Sequence, residues 1–460
     1  WFRSHGPGGP GVVGARRRAY GYRGGSTPSL DRFAQDAVRY DQAFSNSSWT
    51  RPSFASILTG RYASSHRVMG KSDALPDEVV TLPEALHAGG YETRGWVTNF
   101  NVNAHYNFQQ GFDSYEFIEP DNVLFADDAA IKLLLMQIIR RGYETINAHL
   151  GRVQAGTIYQ DAAVVNERVT SWLDRAPTDS PWFAFVGYMD PHDPYFPHPY
   201  DGTGYARAAH QEPEVDEADS LRALYDGEIT YWDEQFGALM DDLRRRGVYD
   251  DTLIIVTSDH GEEFAEHGGF WHGQTLYDEQ IHVPLFVKLP GNERAGTYVD
   301  HWVQSIDLMP SILTRVGLDV PEGVQGGSLE EGTSRVYAEE NHEGNVLESV
   351  RELRDFEEWK LITANDGNPR GLATVELYRM ADDPLERENA APAEHEQVRA
   401  LLQSRTEARR AAAEGAVESV VVEVSEEEHR RLCALGYEDA TWCCAQGYLT
   451  GAACRGGLLA

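Results

Sequence analysis

Asp259 and His260 are adjacent and come directly after a β-branched run at 252–257, which is typical of a strand buried on both faces. A carboxylate oxygen and an imidazole nitrogen at such a strand end can ligate one divalent ion if the strand end is twisted or bulged. This pair of donors suits Zn, Mn, Ca or Mg to different degrees. An Asp–His pair alone is more often structural, but two glutamates and a Trp-His-Gly sequence follow this one.

His192 and His272 are candidate general acids or anion-binding residues. His192 lies between two prolines in a loop at the end of the predicted strand 181–189, and His272 is the histidine of the Trp-His-Gly sequence. Imidazole titrates near neutral pH, so histidine is the default proton donor. A single histidine is more often structural, whereas two histidines in loops near the candidate metal ligands Asp259 and His260 favour a functional site.

Thr50 is the candidate nucleophile. Pro52 follows it closely and suits the first turn of a helix, because its missing N–H has no intrahelical partner there. Thr50 is therefore predicted at or beside the helix N-cap, where free N–H groups and the helix dipole favour an anion. For this stretch alone, an ordinary capping threonine is an equally good interpretation.

The elements that position these residues alternate between strands and helices. Strands are predicted at 91–99, 181–189, 252–257 and 283–289, and helices at 76–88, 221–246 and 392–413, with 121–175 mostly helical. This alternation indicates an α/β fold with a mainly parallel central sheet flanked by helices. Sites in such folds lie at the carboxyl ends of strands, so the loops at Thr50, His192 and Asp259-His260 are predicted to converge.

Four parts are predicted along the chain: an atypical Gly-, Pro- and Arg-rich arm (1–19), an α/β domain that carries the candidate site (20–330), a small C-terminal α+β subdomain (331–437) and an atypical tail (438–460). Three of the four cysteines lie in the tail. They form no CxxC pair, so no zinc site is predicted, and no disulfide framework is predicted in the body.

Charge and hydropathy exclude some partners. The net charge of −33, from 73 acidic and 40 basic residues, argues against nucleic acid or an anionic membrane, which both need a basic face. The longest apolar run, 129–139, contains Lys132 and is too short to cross a bilayer, so no transmembrane segment is predicted.

Taken together, the motifs resemble the sulfatase family of the alkaline phosphatase superfamily, over residues 20–437. The matching segments, in order, are Thr27-Pro28-Ser29-Leu30-Asp31, Trp49-Thr50-Arg51-Pro52-Ser53 with Leu58-Thr59-Gly60-Arg61, Gly111-Phe112-Asp113, Asp190-Pro191-His192-Asp193-Pro194-Tyr195, Tyr225-Asp226-Gly227-Glu228-Ile229, Thr257-Ser258-Asp259-His260-Gly261-Glu262 and Val283-Pro284-Leu285-Phe286-Val287.

The resemblance implies a metal-dependent hydrolase of sulfate or phosphate esters, with one divalent ion (Ca, Zn or Mn). The family's nucleophile position falls on Thr50. Its metal-ligand positions fall on Asp259, His260 and Thr50. The expected substrate is a small-molecule, glycan or lipid ester.

The same resemblance assigns the remaining site residues. His192 and His272 fall on positions that contact the transferred anion or protonate the leaving group, and Arg51 and Asn99 fall on substrate-binding positions. In the implied mechanism, the hydroxyl attacks in line and gives a covalent intermediate that water then cleaves.

One departure from the family concerns the nucleophile. Sulfatases of this family carry Cys or Ser at the Thr50 position and convert it to formylglycine, which is not expected of threonine. The Arg usually found two residues after the proline is Phe54. These differences resemble the superfamily's phosphodiesterases, phosphonate hydrolases and phospho-alcohol transferases, which are the alternative function.

A second departure lies in residues 1–19, where the family has a strand that ends in metal-binding aspartates. The segment contains no Asp or Glu. It is therefore predicted to be a truncated or frameshifted version of that strand, and a catalytically inactive family member is the alternative. Because the chain starts with Trp1 rather than Met, a missing leader stays open, as do cytoplasmic and exported locations.

Overall fold

A computed structural model of the chain describes residues 26–120, 159–176, 180–201, 203–207, 210, 212–426, 429, 432–433 and 440–446. The arm 1–19, residues 121–158 of the segment predicted to be mostly helical (121–175) and most of the tail 438–460 lie outside these residues. Within them the predicted α/β fold is confirmed, with mixed sheets flanked by helices and a separate antiparallel sheet toward the C-terminus.

Ten α-helices occur in the described part of the chain. In chain order they are α1 (Pro28–Phe33), α2 (Thr50–Thr59), α3 (Ala63–His66), α4 (Leu82–Ala88), α5 (Ala162–Leu173), α6 (Ala218–Arg246), α7 (Asp278–Ile281), α8 (Leu308–Arg315), α9 (His395–Ala412) and α10 (Ala440–Gln446).

Sixteen strands occur in the same residues. They are β1 (Val38–Phe44), β2 (Asp73–Ala74), β3 (Glu92–Val97), β4 (Ser114–Phe117), β5 (Trp182–Gly187), β6 (Ile254–Thr257), β7 (Glu263–Phe264), β8 (Phe270–Trp271), β9 (His282–Lys288), β10 (Tyr298–Val299), β11 (Val303–Gln304), β12 (Arg335–His342), β13 (Asn345–Arg354), β14 (Glu357–Ala364), β15 (Val375–Arg379) and β16 (Val420–Val421).

Two sheets carry the strands that lead into the candidate site. In one, the order is β10-β1-β9-β6, with β11 also pairing with β1, and β9 runs antiparallel to both of its neighbours. The other contains β4, β3 and β5, all parallel. Pro284 lies in β9 opposite the register shift between Tyr40 and Ala43 of β1. A proline inside a strand is tolerated at such a bulge because it cannot donate a ladder hydrogen bond.

The C-terminal subdomain is an antiparallel sheet in the order β12-β13-β14-β15 with α9 packed on it. Leu401 of α9 is buried in one cluster with Val350 of β13, Trp359 and Leu361 of β14 and Leu377 of β15. The strands and helix of the predicted α+β subdomain are therefore present, and two-residue turns join β12 to β13 and β13 to β14.

Two local differences from the sequence prediction have clear causes. The helix predicted over 76–88 begins at Leu82, because Thr81 and Glu84 form a capping box that fixes its start. The strand expected before Thr50 had no predicted bounds and is β1, whose charged residues Arg39 and Asp41 interrupt the apolar pattern. These two residues pair with each other at 2.5 Å.

The chain beyond α9 returns to the helix that begins at Thr50. Strand β16 pairs with β2, and Leu432 is buried in one cluster with Ala55 and Leu58 of α2. A disulfide joins Cys433 to Cys443, which the sequence analysis did not predict. Among the described helices, none combines the length and the apolar character that a bilayer span requires.

Candidate active site

Thr50 is the first residue of α2, directly after the N-cap Trp49, so it lies beside the N-cap as predicted. Its side chain is fully buried, and its Oγ1 lies 3.3 Å from Nε2 of His260. Nδ1 of His260 lies 2.8 Å from the carbonyl oxygen of Gly261. If Nδ1 carries the proton and donates there, Nε2 holds a lone pair toward the threonine hydroxyl.

Asp259 and His260 follow β6 directly, at its carboxyl end. The Oδ2 atom of Asp259 lies 3.4 Å from Nε2 of His260, which is also the nitrogen next to Thr50. Two oxygens and one nitrogen from three side chains therefore gather around one point. The two predicted loops, 210 residues apart in sequence, are brought together there.

His272 and His192 form a chain of neighbouring rings that begins at His260. The ring centroid of His272 is 4.3 Å from that of His260 and 4.9 Å from that of His192. Nδ1 of His192 lies 2.6 Å from the carbonyl oxygen of Asp193, and Nδ1 of His272 lies 3.0 Å from Oε1 of Glu262. In each of the three histidines, Nδ1 faces an oxygen of the protein, and this contact fixes the orientation of the ring.

Burial controls the electrostatics of this group. It lowers the pKa of His260, and burial together with the neighbouring charges of His260, His192 and Arg207 lowers the pKa of His272 well below its usual value. Burial also raises the pKa of Glu262. Neutral imidazoles at pH 7 are the form that ligates metals and accepts protons.

The two predicted substrate-binding residues have defined partners within the protein. Arg51 is fully buried; its guanidinium donates to the backbone carbonyls of Gly70, Lys71 and Asn101 and lies 3.5 Å from the ring centroid of Tyr106. Asn99 accepts a hydrogen bond from the Asn101 N–H at 2.9 Å. Their role toward a substrate stays a prediction.

Glu340 was missed by the sequence analysis, although it supports the loop that precedes Thr50. One oxygen of this buried carboxylate accepts from the Ser47 hydroxyl (2.7 Å) and from the Ser48 N–H and hydroxyl (3.0 Å each). Burial raises its pKa to about 7. Glu340 belongs to β12, so the C-terminal subdomain positions the loop that carries the candidate nucleophile.

Glu262 was also missed, although it stands two residues after His260. Besides facing His272, it accepts a hydrogen bond from the Tyr195 hydroxyl at 3.0 Å. The two consecutive glutamates after the Asp-His-Gly sequence were a local signal, because buried carboxylates commonly orient the histidines of a site.

A family model described as "Sulfatase" matches residues 13–318, and one described as "N-sulphoglucosamine sulphohydrolase, C-terminal" matches residues 265–412. The first match covers well over half of the chain and contains every predicted site residue. The chain belongs to the sulfatase family. The match begins at residue 13, inside the arm 1–19.

Two characterised relatives are similar to this sulfatase-family chain. An "Ulvan-active sulfatase" of Formosa agariphila is 28% identical over 351 residues, 72% of this chain and 65% of that protein. The "Multifunctional alkaline phosphatase superfamily protein PehA" of Trinickia caryophylli is 26% identical over 366 residues, 66% of this chain and 70% of that protein. The chain thus spans only about two thirds of the length of these relatives.

A solved structure that is not named as a sulfatase shares the fold of this sulfatase-family chain. The phosphonate monoester hydrolase of Agrobacterium radiobacter matches with a TM-score of 0.64 and 23% sequence identity, covering 89% of this chain and 95% of that protein. At this identity the match establishes the fold alone.

The family's divalent ion can be compared with the donors that this chain presents. Asp259, His260 and Thr50 offer two oxygens and a nitrogen, with the His260 ring fixed by its bond to the Gly261 carbonyl. This donor set fits one side of a site for a hard or borderline ion. Further ligands would have to come from elsewhere, and residues 1–19 contain no Asp or Glu.

A separate group of ligand-type residues lies nearby. Glu263, His267 and Glu279 each place one ligand-type atom within 4.8 Å of the others. The hydrogen bonds favour an ion-pair network instead of a metal site. His267 lies 2.5 Å from Glu279 through Nδ1 and 2.9 Å from the Glu386 carbonyl through Nε2, so both nitrogens face acceptors, and Glu263 pairs with Arg370 at 2.8 Å.

The His267 network predicts a pH dependence of stability. Burial alone lowers the pKa of His267, but the hydrogen bond and charge of Glu279 and the Glu386 carbonyl outweigh it and raise the pKa to about 9. A raised pKa means that the stabilisation is complete below the unfolded-state value and disappears as the pH rises through about 9.

Thermal unfolding of wild type and His267→Gln between pH 6 and pH 10 measures this effect. We expect wild type to be more stable by about 1–2 kcal/mol at pH 6, with the difference vanishing above the folded-state pKa. A difference that does not change with pH would show that His267 is not protonated in the folded protein.

Proposed function

We propose that this chain is a metal-assisted hydrolase of sulfate or phosphate esters with Thr50 as the nucleophile. The observation that carries the proposal is the 3.3 Å contact between Thr50 Oγ1 and His260 Nε2 at the first turn of α2. A buried hydroxyl and an imidazole nitrogen that can share one divalent ion therefore lie side by side, and the helix N-terminus beside them favours bound anions.

The proposed reaction has two displacements. Thr50 Oγ attacks the sulfur or phosphorus, the bond to the alcohol oxygen breaks, and the hydroxyl proton leaves to a base while the departing oxygen gains one. His192 and His272 are the candidate donors or contacts to the transferred anion; the His272 ring centroid lies 4.3 Å from that of His260 and 4.9 Å from that of His192. Water then cleaves the Thr50 ester and restores the hydroxyl.

Asp259, His260 and Thr50 would hold the divalent ion. When bound there, the ion supplies Lewis-acid polarisation of the ester oxygens and lowers the hydroxyl pKa. Glu340 keeps the Ser47-Ser48 loop in place, and Glu262 keeps the His272 ring in place, so that the protein groups need little reorganisation during the reaction.

A phosphodiesterase or phosphonate hydrolase is the second candidate, favoured by the residue type at position 50. Threonine is not expected to form the formylglycine of sulfatases, and phosphoryl transfer to a plain hydroxyl needs no such conversion. A protein that shares the fold is named as a phosphonate monoester hydrolase. A catalytically inactive family member is the third candidate, because one side of the metal site is not accounted for.

A substrate and metal panel tests the proposal. Chelator-treated protein is assayed with an aryl sulfate, an aryl phosphate, an aryl phosphodiester and an aryl phosphonate, with Zn, Mn, Ca or Mg added singly. We expect negligible turnover without metal and recovery of at least about 10²-fold with one of the ions.

The preferred ester then distinguishes the sulfatase from the phosphodiesterase or phosphonate hydrolase. Full turnover in the presence of chelator would contradict metal assistance. Folded protein that turns over none of the esters with any ion would identify the inactive family member.

A further inference from the structure

The chain beyond α9 returns to the α/β domain through residues 415–424, which we call the return segment. The Val417 N–H donates to the Ser65 carbonyl of α3 at 3.2 Å, and the Val422 N–H donates to the Ser72 carbonyl at 2.9 Å. Between these contacts, β16 pairs with β2. Backbone hydrogen bonds therefore lead the chain from the C-terminal sheet back toward α2 and α3.

Leu432 is the point at which the chain then enters a core of the α/β domain. Its side chain is fully buried, in one apolar cluster with Ala55 and Leu58 of α2. The same cluster contains Met189 and Phe196, at the two ends of the loop that carries a candidate proton donor. A single side chain from beyond the return segment therefore packs in the cluster that supports both this loop and the helix of the candidate nucleophile.

The Cys433–Cys443 disulfide holds this side chain in place. Cys433 follows Leu432 directly, and both bridged cysteines, ten residues apart in sequence, are fully buried. Beside the disulfide, the ring centroids of His429 and Trp442 lie 5.0 Å apart. Closing a loop of this length removes conformational freedom from the undocked chain and favours the docked form by roughly 10²-fold.

Apart from Leu432 and the disulfide, the return segment is weakly held. β16 has only two residues, and the side chains of Val420 and Val421 are 38% and 66% exposed. Val422 and Val424 are only partly buried against the apolar cluster. Segments with few buried apolar contacts open locally at a low cost in free energy. We therefore expect the docking of Leu432 to depend mainly on the disulfide.

The position of α2 bears directly on the candidate site. Thr50 begins this helix, and its Oγ1 lies 3.3 Å from Nε2 of His260. The next residue, Arg51, places its guanidinium 3.5 Å from the ring centroid of Tyr106, which belongs to the same apolar cluster as Leu432. Undocking of Leu432 opens a void in this cluster, and the surrounding structure relaxes partly into such a void. A displacement of about 1 Å in a reacting group reduces turnover by about 10²-fold.

We propose that Leu432 is a positioning residue for α2 and that the Cys433–Cys443 disulfide keeps it docked, so that turnover at Thr50 depends on the redox state of this one bond. The inference rests on the proposed function, since it assumes that Thr50 attacks an ester. It deepens that function by naming its regulation: the site is fully assembled only after the two thiols have been oxidised.

The redox step is a thiol–disulfide exchange with a small reagent. A dithiol breaks the S–S bond: each of the two sulfurs gains one electron and one proton and becomes a thiol, while the dithiol loses two of each and closes to a disulfide. Glutathione disulfide reverses the step, taking the two electrons and two protons and giving two molecules of glutathione. Because both cysteines are buried, the dithiol reaches them only through local opening, so the extent of reduction is followed by alkylation and mass spectrometry.

Hydrogen exchange tests the docking without any turnover. Oxidised wild type, dithiol-treated wild type and the double variant Cys433→Ser/Cys443→Ser are compared by mass spectrometry. In the last two, we expect the amides of the return segment and of α2 to exchange at least about tenfold faster, and those of β14 to be unchanged. Equal exchange in oxidised and reduced wild type would overturn the docking role of the disulfide, and this comparison needs no variant to fold.

Turnover of the preferred ester, measured after the reagent has been removed under anaerobic conditions, tests the positioning role. In the reduced wild type and in the double variant, kcat should fall at least about tenfold, with KM within about threefold of the oxidised wild-type value. Glutathione disulfide should restore the wild type alone. The dithiol should leave the double variant unchanged, although Cys444 is disulfide-bonded as well, so the response belongs to the Cys433–Cys443 bond.

Leucine variants separate positioning from general stability. Leu432→Ala should lower kcat of the oxidised protein at least about tenfold, and Leu432→Met should retain it within about threefold. Leu401→Ala removes the same atoms from an equally buried leucine that packs on the C-terminal sheet, and it should leave kcat unchanged. Equal losses of kcat in Leu401→Ala and Leu432→Ala would show a general effect of stability and overturn the positioning role.

Two further outcomes distinguish this inference from the proposed function. Faster exchange on reduction without a loss of kcat would overturn the positioning role and leave the proposed function intact. If oxidised wild type turns over no ester with any ion, the proposed function is overturned, and the positioning role with it.

Discussion

Replacing Thr50 with alanine should reduce turnover of the preferred ester by at least about 10³-fold, because the nucleophile is removed from a two-step displacement. The change deletes a hydroxyl whose only described partner is His260 Nε2, so the fold should tolerate it. We expect kcat to fall far more than KM rises, since the lost interaction forms a bond only during the reaction. Steady-state kinetics with the ion that supports wild-type turnover measures both.

Two variants control this experiment. Thr50→Ser keeps the hydroxyl and should retain activity within about tenfold of wild type. Thr59→Ala deletes the same atoms from the other end of α2, where the hydroxyl donates to the Ala55 carbonyl at 2.7 Å, and should leave kcat unchanged. Equal turnover in wild type and Thr50→Ala would remove Thr50 from the mechanism.

Replacing Lys360 with methionine should destabilise the protein by about 3–5 kcal/mol, because it breaks a buried ion-pair network. The ammonium is only 1% exposed and lies 2.8 Å from Asp278 and 2.6 Å from Glu386. The Arg351 guanidinium also contacts Asp278, at 2.5 Å. Without Lys360 the carboxylate of Glu386 loses its closest cation in a fully buried position. Chemical unfolding measures the change in the free energy of unfolding.

A double-mutant cycle gives the control for this prediction. Glu386→Gln in the Lys360→Met background removes the unpaired charge and should recover at least about 1 kcal/mol. Asp278 begins α7, the short helix between His272 and β9, so the network also joins the C-terminal sheet to the segment that follows the site. Additive effects of the two substitutions would show that Lys360 and Glu386 are not coupled.

Strand-end motifs made the positions of several candidate site residues predictable from sequence. The β-branched run 252–257 predicted the strand β6 and the position of Asp259 and His260 after its end. The aromatic run 181–189 likewise predicted the strand β5 and the loop after it that contains His192. Thr50 was predicted at or beside a helix N-cap because Pro52 suits the first helical turn, and it is the residue after the N-cap Trp49. These features depend on a few neighbouring residues, so they can be predicted from short stretches of sequence.

The residues that sequence reasoning missed act across long separations. Glu340 bonds to Ser47 over 293 residues, and His342 packs on Trp49 from the same strand of the C-terminal sheet. No periodicity or local motif specifies which carboxylate of β12 faces which loop, because that follows from how two sheets pack. The disulfide between Cys433 and Cys443 was missed for a related reason, since their spacing matches no local pattern and their Cα atoms are brought to 5.8 Å by the fold.

The most direct test of the central claim is to locate the covalent intermediate. Wild-type protein with its supporting ion is quenched in acid during turnover of the preferred ester, digested and sequenced by mass spectrometry. A threonine nucleophile predicts a mass increase equal to the transferred group (sulfuryl or phosphoryl, or the substituted phosphoryl or phosphonyl group of a phosphodiester or phosphonate substrate) on the peptide that contains Thr50, localised to that residue by fragmentation and absent from Thr50→Ala. A group attached to any other residue during turnover would contradict the assignment of Thr50 as the nucleophile.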